Sequence, residues 1–329
     1  MLKFDEPENL AKLTIEITTD CNLKCMGCPR TVALENNNWT NRSISIDKFK
    51  KILDNIPFTK MVTLHGIGEP MLHPEFLEIV KIAKQSGKFG FMKVTTNGVT
   101  RSPDYMQNAI EAGLDQIWIS VDSFDPIVAM QMRMGSNVEK LKRNIKECIH
   151  RKIPIKISNV ISRTNMYDIE NLFTDLYELG NPTIYSQEFQ DFGNDYGMLT
   201  MKDRETVNKT IGRIRNKFPE ISLVPPQFTS PEGNICTAPW SRPAISVEGY
   251  LTPCCTTFDP THFGFADVSE IGFSELWNTE TIQDWLAAMY QNTIPMCNGC
   301  GLNPRLNRPD AQLSRSGKNG SELHVVNLT

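Results

Sequence analysis

Three cysteines, Cys21, Cys25 and Cys28, fall within the eight positions of CNLKCMGC, and no fourth stands nearby. A structural metal site closes on four protein ligands, whereas a catalytic centre keeps one position open. Three thiolates on one loop can also take three irons of a cubane cluster and leave the fourth iron without a protein ligand. The spacing therefore admits an iron–sulfur centre with a vacancy, or a zinc knuckle completed by a distant residue.

Such a loop needs a frame to hold it. Short β-rich runs at 13–18, 61–66, 91–96, 116–121, 154–160 and 182–189 alternate with amphipathic segments at 45–56, 74–87, 102–113, 137–152 and 167–180. Gly87, Gly113 and Gly180 suit left-handed helix caps. Six strand–helix repeats predict a parallel sheet, too few for the eight-fold barrel. The expected fold class is α/β: a partial (β/α)6 TIM-like barrel, open on one side. Functional loops of such a fold gather at the C-terminal ends of the strands. The stretches TTDCNLKC, HGIGEP, TTNG and SVDS all stand at such ends.

The pattern changes beyond about residue 200, where a helix and a Pro-rich connector lead into a short-stranded, cysteine-rich region. The expected domains are 1–220 for the barrel, 221–310 for a small α+β cluster-binding domain, and 311–329 for a flexible polar tail. Trp240 and Trp277 are expected in the core of the small domain.

Composition narrows the class. The 329 residues carry a net charge of −4, with Lys and Arg scattered rather than clustered. That gives no electrostatic footprint for nucleic acid or an anionic membrane surface. No apolar run approaches the roughly 18 residues of a membrane helix, and the N-terminus lacks a signal-peptide core. A cytoplasmic protein is expected, and there thiols stay reduced. Nine cysteines, an odd number, then read as metal ligands rather than disulfides. Cys148 is the exception, lying at helical spacing with Val138, Leu141 and Ile145, as a core residue would.

Through its C-x3-C-x2-C loop after a strand, the region 13–200 resembles the radical S-adenosylmethionine (SAM) superfamily. The resemblance implies that Cys21, Cys25 and Cys28 hold a 4Fe–4S cluster whose open iron is chelated by SAM. An electron from the cluster would then cleave SAM to methionine and a 5′-deoxyadenosyl radical. It also implies that GIGEP, with Gly66, Gly68 and Glu69, meets the methionine ammonium. Thr96 and Asn97 of TTNG, and Ser120 and Asp122 of SVDS, would touch methionine and ribose. Arg133 would pair with the SAM carboxylate, a planar contact suited to arginine. Ser158 and Asn159 on the fifth strand are candidates of the same kind. Each position also has a plainer reading, as a turn or cap residue or, for Arg133, a solvated helix end. The superfamily usually has an aromatic residue before the third cysteine. Gly27 stands there instead, which leaves a backbone contact to adenine.

The C-terminal region is similar to the SPASM/twitch extension of radical SAM enzymes: Cys236, a gap, Gly249, four residues, Cys254, then Cys297-x2-Cys300. No cysteine follows Cys300, which favours the shorter twitch form with one auxiliary 4Fe–4S cluster. The four cysteines would close that cluster, leaving electron transfer as its task. A four-cysteine zinc site is the alternative that ligand type leaves open. Cys255 follows Cys254 directly, and successive residues of an extended segment point to opposite sides, so it is not expected to be a ligand.

The activity implied is a radical SAM oxidoreductase that abstracts a substrate hydrogen and passes an electron to the auxiliary cluster. Its net reaction would be dehydrogenation of a small polar molecule such as a sugar, aminocyclitol or nucleotide. A barrel starting within about fifteen residues of Met1 leaves no room ahead of it for a leader-peptide domain, which favours the small molecule. Expected partners are that substrate, or a peptide, and a reductant such as flavodoxin or ferredoxin. Peptide or protein modification stays open, as does redox-neutral epimerisation with Cys255 as hydrogen donor. A non-catalytic electron-transfer module is disfavoured by the intact loop beside GIGEP.

Overall fold

Alternation along the short β-rich runs decides which face of each strand meets a helix. In MKVTT, Met92, Val94 and Thr96 are buried, while Lys93 and Thr95 between them are half-exposed. The computed structural model describes residues 5–190, 197–228, 236, 238–255, 264–291, 293–294 and 297. Its strands are β1 (Leu10–Ile15), β2 (Lys24–Cys25), β3 (Thr59–Leu64), β4 (Met92–Thr96), β5 (Gln116–Ser120) and β6 (Arg133–Met134). They continue with β7 (Ile155–Ile161), β8 (Ile184–Glu188), β9 (Leu223–Val224), β10 (Ala244–Ile245) and β11 (Leu251–Thr252). The main helices are α1 (Pro29–Glu35), α2 (Ile46–Asn55), α3 (Phe76–Gln85), α4 (Pro103–Ala112), α5 (Pro126–Met132), α6 (Val138–His150), α7 (Ile169–Glu178) and α8 (Met201–Lys217).

Nine strands form one sheet in the order β11-β10-β1-β3-β4-β5-β7-β8-β9. All neighbours are parallel except β10 and β11. The six expected strands are β1, β3, β4, β5, β7 and β8, and the five expected helices are α2, α3, α4, α6 and α7, with ends within three residues. The α/β partial barrel is thus present. The largest shift is in β1, which lies three residues nearer the N-terminus than expected. Its pairing with β3 starts at Leu10↔Thr59, and beyond Ile15 the chain leaves the sheet to bond Ile44 N to Ile17 O at 2.9 Å.

Local chemistry sets the helix starts. Ser45 Oγ accepts from Lys48 N at the start of α2, Asn137 does so from Lys140 N for α6, and Thr200 with Asp203 forms a capping box on α8. The buried faces of α3, α4, α6 and α7 press Phe76, Met106, Ile145 and Phe173 into the sheet core. Cys148 is fully buried there, its Sγ 3.6 Å from Met106 Sδ.

The side of the sheet expected to be open is extended by the C-terminal region. β10 pairs parallel with β1, Thr14↔Ala244 and Ile15↔Ile245. The helices Phe273–Trp277 and Glu280–Tyr290 follow, and buried Trp277, stacked on Phe273 at 5.6 Å, joins the same core. Trp240 is half-buried against it. Lys48 on α2 pairs with Asp267 at 2.7 Å, and Asn55 Nδ2 donates to Val268 O at 2.8 Å. Among the described residues no helix is long and apolar enough to cross a membrane.

Candidate active site

The C-terminal ends of β1, β3, β4 and β5 surround a cavity of about 260 Å³. Cys21, Cys25 and Cys28 line it. Their loop is clamped by contacts far apart in sequence. β2 pairs antiparallel with β6, setting Cys25 opposite Arg133, and Met26 N donates to Met132 O at 3.0 Å. Buried Arg30 donates from Nη1 to Leu23 O at 3.1 Å. Burial pushes the Cys21 thiol up to about 11 and raises that of Cys25, with Arg133 opposing the latter shift. Metal binding at this loop must therefore release protons. Among the described residues no three His, Cys, Asp or Glu side chains converge closely enough to hold a single metal ion. Three thiols lining one cavity can each take a different iron of a cluster.

Gly66, Gly68 and Glu69 reach the same cavity from the loop after β3. A Cβ on Gly68 would sit 2.2 Å from Thr18 O, so this loop and the segment after β1 can approach only through glycine. Glu69 is buried and its carboxylate is almost saturated. Oε1 accepts from Thr96 Oγ1 at 2.7 Å and Met71 N at 3.2 Å, and Oε2 from Asn97 N at 2.7 Å. Burial raises its pKa, opposed by the bonds from Asn97 and Thr96. A carboxylate offers about four acceptor sites, so one remains for a cationic donor in the cavity.

Thr96, Asn97 and Ser120 also line the cavity. Asn97 does structural work as well: its Oδ1 accepts from Val99 N at 3.0 Å, and its Nδ2 donates to Asn22 Oδ1 at 2.8 Å inside the cysteine loop. Arg133 is half-buried and lines the cavity, its guanidinium paired with Asp122, so the solvated helix-end reading does not hold. Its Nε donates to Asp122 Oδ2 at 2.6 Å. Burial opposes its charge, but Asp122 and Cys25 outweigh this and keep the guanidinium protonated. Asp122 itself does not line the cavity; its Oδ1 accepts from Val160 N at 2.8 Å, which makes it a positioning residue behind Arg133. Ser158 lies outside the cavity wall, and Asn159 Nδ2 donates to Val121 O at 3.0 Å, tying β7 to β5.

Gly27 adopts φ +67°, and a Cβ there would meet Phe189 Cζ at 2.5 Å. The aromatic ring missing from position 27 is thus supplied next to it by the residue that follows β8. Cys255 lines the cavity and Cys254 does not; the two stand in the bend and turn just beyond β11 rather than on the extended segment expected. Cys236, Cys254 and Cys297 are half-buried, and Cys300 lies outside the described residues.

Two groups escaped the sequence reading. His65 lines the cavity with Nδ1 buried and without a hydrogen bond, and burial, aided by Lys93 and Arg133, lowers its pKa to about 4. Glu16 is buried at the end of β1, accepting from Ile67 N at 2.7 Å and Val247 N at 3.3 Å, and burial raises it to about 7. The signal for His65 was parity, since it shares the strand face of Thr63. Glu16 gave no signal beyond being an acid among apolar residues.

This geometry agrees with two family matches. Residues 15–176 match the radical SAM superfamily, and residues 236–301 match the SPASM iron–sulfur cluster-binding domain. The chain belongs to the radical SAM superfamily. It is 25% identical over 320 residues to a tungsten-containing aldehyde ferredoxin oxidoreductase cofactor-modifying protein of Pyrococcus furiosus, covering 88% of this chain and 87% of that one. It is 24% identical over 281 residues to a PqqA peptide cyclase of Granulibacter bethesdensis, covering 81% of this chain and 73% of the relative. Among solved structures, anSMEcpe with bound AdoMet superposes with a TM-score of 0.70 at 15% identity, covering 91% of this chain and 87% of that one. As a radical SAM enzyme with a SPASM domain, the chain takes 4Fe–4S clusters and SAM as cofactors.

Proposed function

We propose that this radical SAM enzyme is an oxidoreductase acting on a small polar molecule, from which it removes a hydrogen atom, then a proton from an adjacent group and, through the SPASM cluster, an electron. The observation that carries the reading is the single cavity shared by the three-cysteine loop, Glu69 and Arg133. When bound, the cluster and SAM supply a 5′-deoxyadenosyl radical that abstracts the hydrogen. Cys21, Cys25 and Cys28 hold the first cluster. Glu69 takes the SAM ammonium on its remaining acceptor site, and Arg133, fixed by Asp122, takes the carboxylate. Gly66, Gly68, Thr96, Asn97 and Ser120 shape the wall around them, and the backbone at Gly27 carries the contact to adenine. Cys236, Cys254, Cys297 and Cys300 hold the auxiliary cluster as a closed set, which suits it to electron transfer. Flavodoxin or ferredoxin is the expected reductant, and the cytoplasm the expected compartment.

A second reading has its own support. Cys255 is in the cavity wall, where a thiol can return a hydrogen atom to a substrate radical and make the reaction redox-neutral. The PqqA peptide cyclase among the relatives likewise supports a peptide as the other substrate class. Turnover of candidate small molecules and peptides in heavy water separates these cases by product mass. Dehydrogenation removes two hydrogens, whereas epimerisation gains one deuterium. Cys255→Ala is expected to leave dehydrogenation intact; loss of turnover in that variant together with deuterium gain would replace it with the epimerase. Turnover of peptides alone would move the substrate class.

A further inference from the structure

Beneath the cavity the sheet carries a layer of residues that the reading above does not use. Thr95 and Ser120 line the cavity. Side chains two residues apart on a strand share a face, so Lys93 and Trp118 lie on that face about 7 Å nearer the N-terminal ends of the strands. Register sets Trp118 level with Thr95 and Lys156, and Tyr185 level with Ser158, which makes Trp118 and Tyr185 diagonal neighbours on that face. The rings of Trp118 and Tyr185 stack at 4.7 Å. Each carries an ammonium: Lys93 Nζ lies 3.3 Å from the Trp118 centroid, and Lys156 Nζ lies 5.0 Å from the Tyr185 centroid and 3.4 Å from its hydroxyl. Lys12 on β1 adds a third positive charge that acts on Lys93.

Three like charges around one lumen repel, and among the described residues no carboxylate forms an ion pair with any of them. The Cys255 thiol is the acidic group that acts on Lys93, and the carboxylates around the strand ends are committed elsewhere. Glu16 takes the amides of Ile67 and Val247, Glu69 takes Thr96 and Asn97, Asp122 takes Arg133, and Glu188 takes Arg204 at 3.0 Å. Burial, then Lys12 and Lys156, push the Lys93 ammonium down to about 8. Aromatic faces next to cations offer a stacking platform for a planar group as well as charge.

We infer that Lys93 and Lys156, with Lys12 at the rim and Trp118 and Tyr185 as platform, bind an anionic group of the substrate, a phosphate or a carboxylate, and so hold its reacting carbon toward the cysteine-lined cavity. This rests on the reading of that cavity as the radical SAM site, and it narrows the substrate to an anionic molecule. Ammonium groups in a half-buried lumen suit either anion, and the two are distinguished by probe.

The test uses the full chain, reconstituted anaerobically and loaded with SAM. Binding of inorganic phosphate and of glutarate is measured by calorimetry at low and high salt. One of the two is expected to bind saturably and to weaken with salt, and which one it is names the anion. Lys93→Gln and Lys156→Gln are each expected to weaken that binding about tenfold, and Lys93→Arg to keep it within about threefold. Iron content and thermal unfolding matching wild type show that the variants are folded. Failure of wild type to bind either probe, or equal binding by the Gln variants, overturns the inference. Formation of 5′-deoxyadenosine by wild type in the same samples is scored separately. Its absence strikes at the radical SAM reading, not at the anion site.

Discussion

The two cysteine regions are built on different terms. Around Cys21, Cys25 and Cys28 the loop is fixed by partners drawn from most of the barrel: Asn97 to Asn22, Met132 to Met26, and Arg133 opposite Cys25. In the C-terminal region the fixed part is the anchor, with β10 on β1 and Lys48 on Asp267, while Cys236 and Cys254 stand outside the strands and helices on either side of it. The first arrangement holds a reacting centre at a set place relative to the strand ends, as preorganised chemistry requires. On the proposed reading, the second needs only to keep its cluster within electron-transfer reach.

Breaking one region should spare the other. Cys25→Ala is expected to abolish reductive SAM cleavage and to leave about four of about eight irons per chain. Cys236→Ala is expected to lose a similar amount of iron yet retain cleavage without substrate. Iron assay with quantified 5′-deoxyadenosine checks both, and equal loss of cleavage in the two variants would erase the distinction.

Asp122→Ala probes the clamp rather than the ligand. It leaves the half-buried Arg133 guanidinium without its carboxylate, which should cost about 1.5–3 kcal/mol in denaturant unfolding. Asp122→Asn should cost less and should weaken SAM binding through a mispositioned Arg133. An unchanged midpoint would mean that Arg133 is held by something else.

Gly27→Ala comes next, with an expected loss of about 1–3 kcal/mol from a positive φ. Adding Phe189→Ala removes the clash at 2.5 Å but not the backbone strain, so it should restore only part of the loss. Full restoration would assign the whole effect to the ring.

The smallest effect at neutral pH belongs to His65. Its folded pKa of about 4 lies below the ordinary 6.5, so the folded state resists protonation. Between those values the unfolded chain binds the extra proton, and stability falls as pH drops through 6.5 toward 4. His65→Gln should flatten that slope in unfolding midpoints measured from pH 7 to pH 4. A slope that survives unchanged would show His65 to be protonated in the fold.

What could be read from the chain follows from range. The six barrel strands and their helices were visible because periodicity is local, and the cysteine loop because three ligands sit on one turn. β2 and β6 have two residues each and no period to detect, yet they set Cys25 against Arg133. β10 was invisible for a different reason: Ala244 pairs with Thr14, a contact that no local pattern encodes. Asp122 was readable as polar and near a strand end, but not as the partner of Arg133 rather than of a ligand. The ring beside Gly27 comes from Phe189, far along the chain, so the gap in the motif could be seen and its filling could not.

The most direct test is one anaerobic assay of the reconstituted wild-type chain for 5′-deoxyadenosine formed from SAM on addition of dithionite. The account predicts reductant-dependent formation by protein carrying about eight irons per chain. No 5′-deoxyadenosine from protein fully loaded with iron would contradict it.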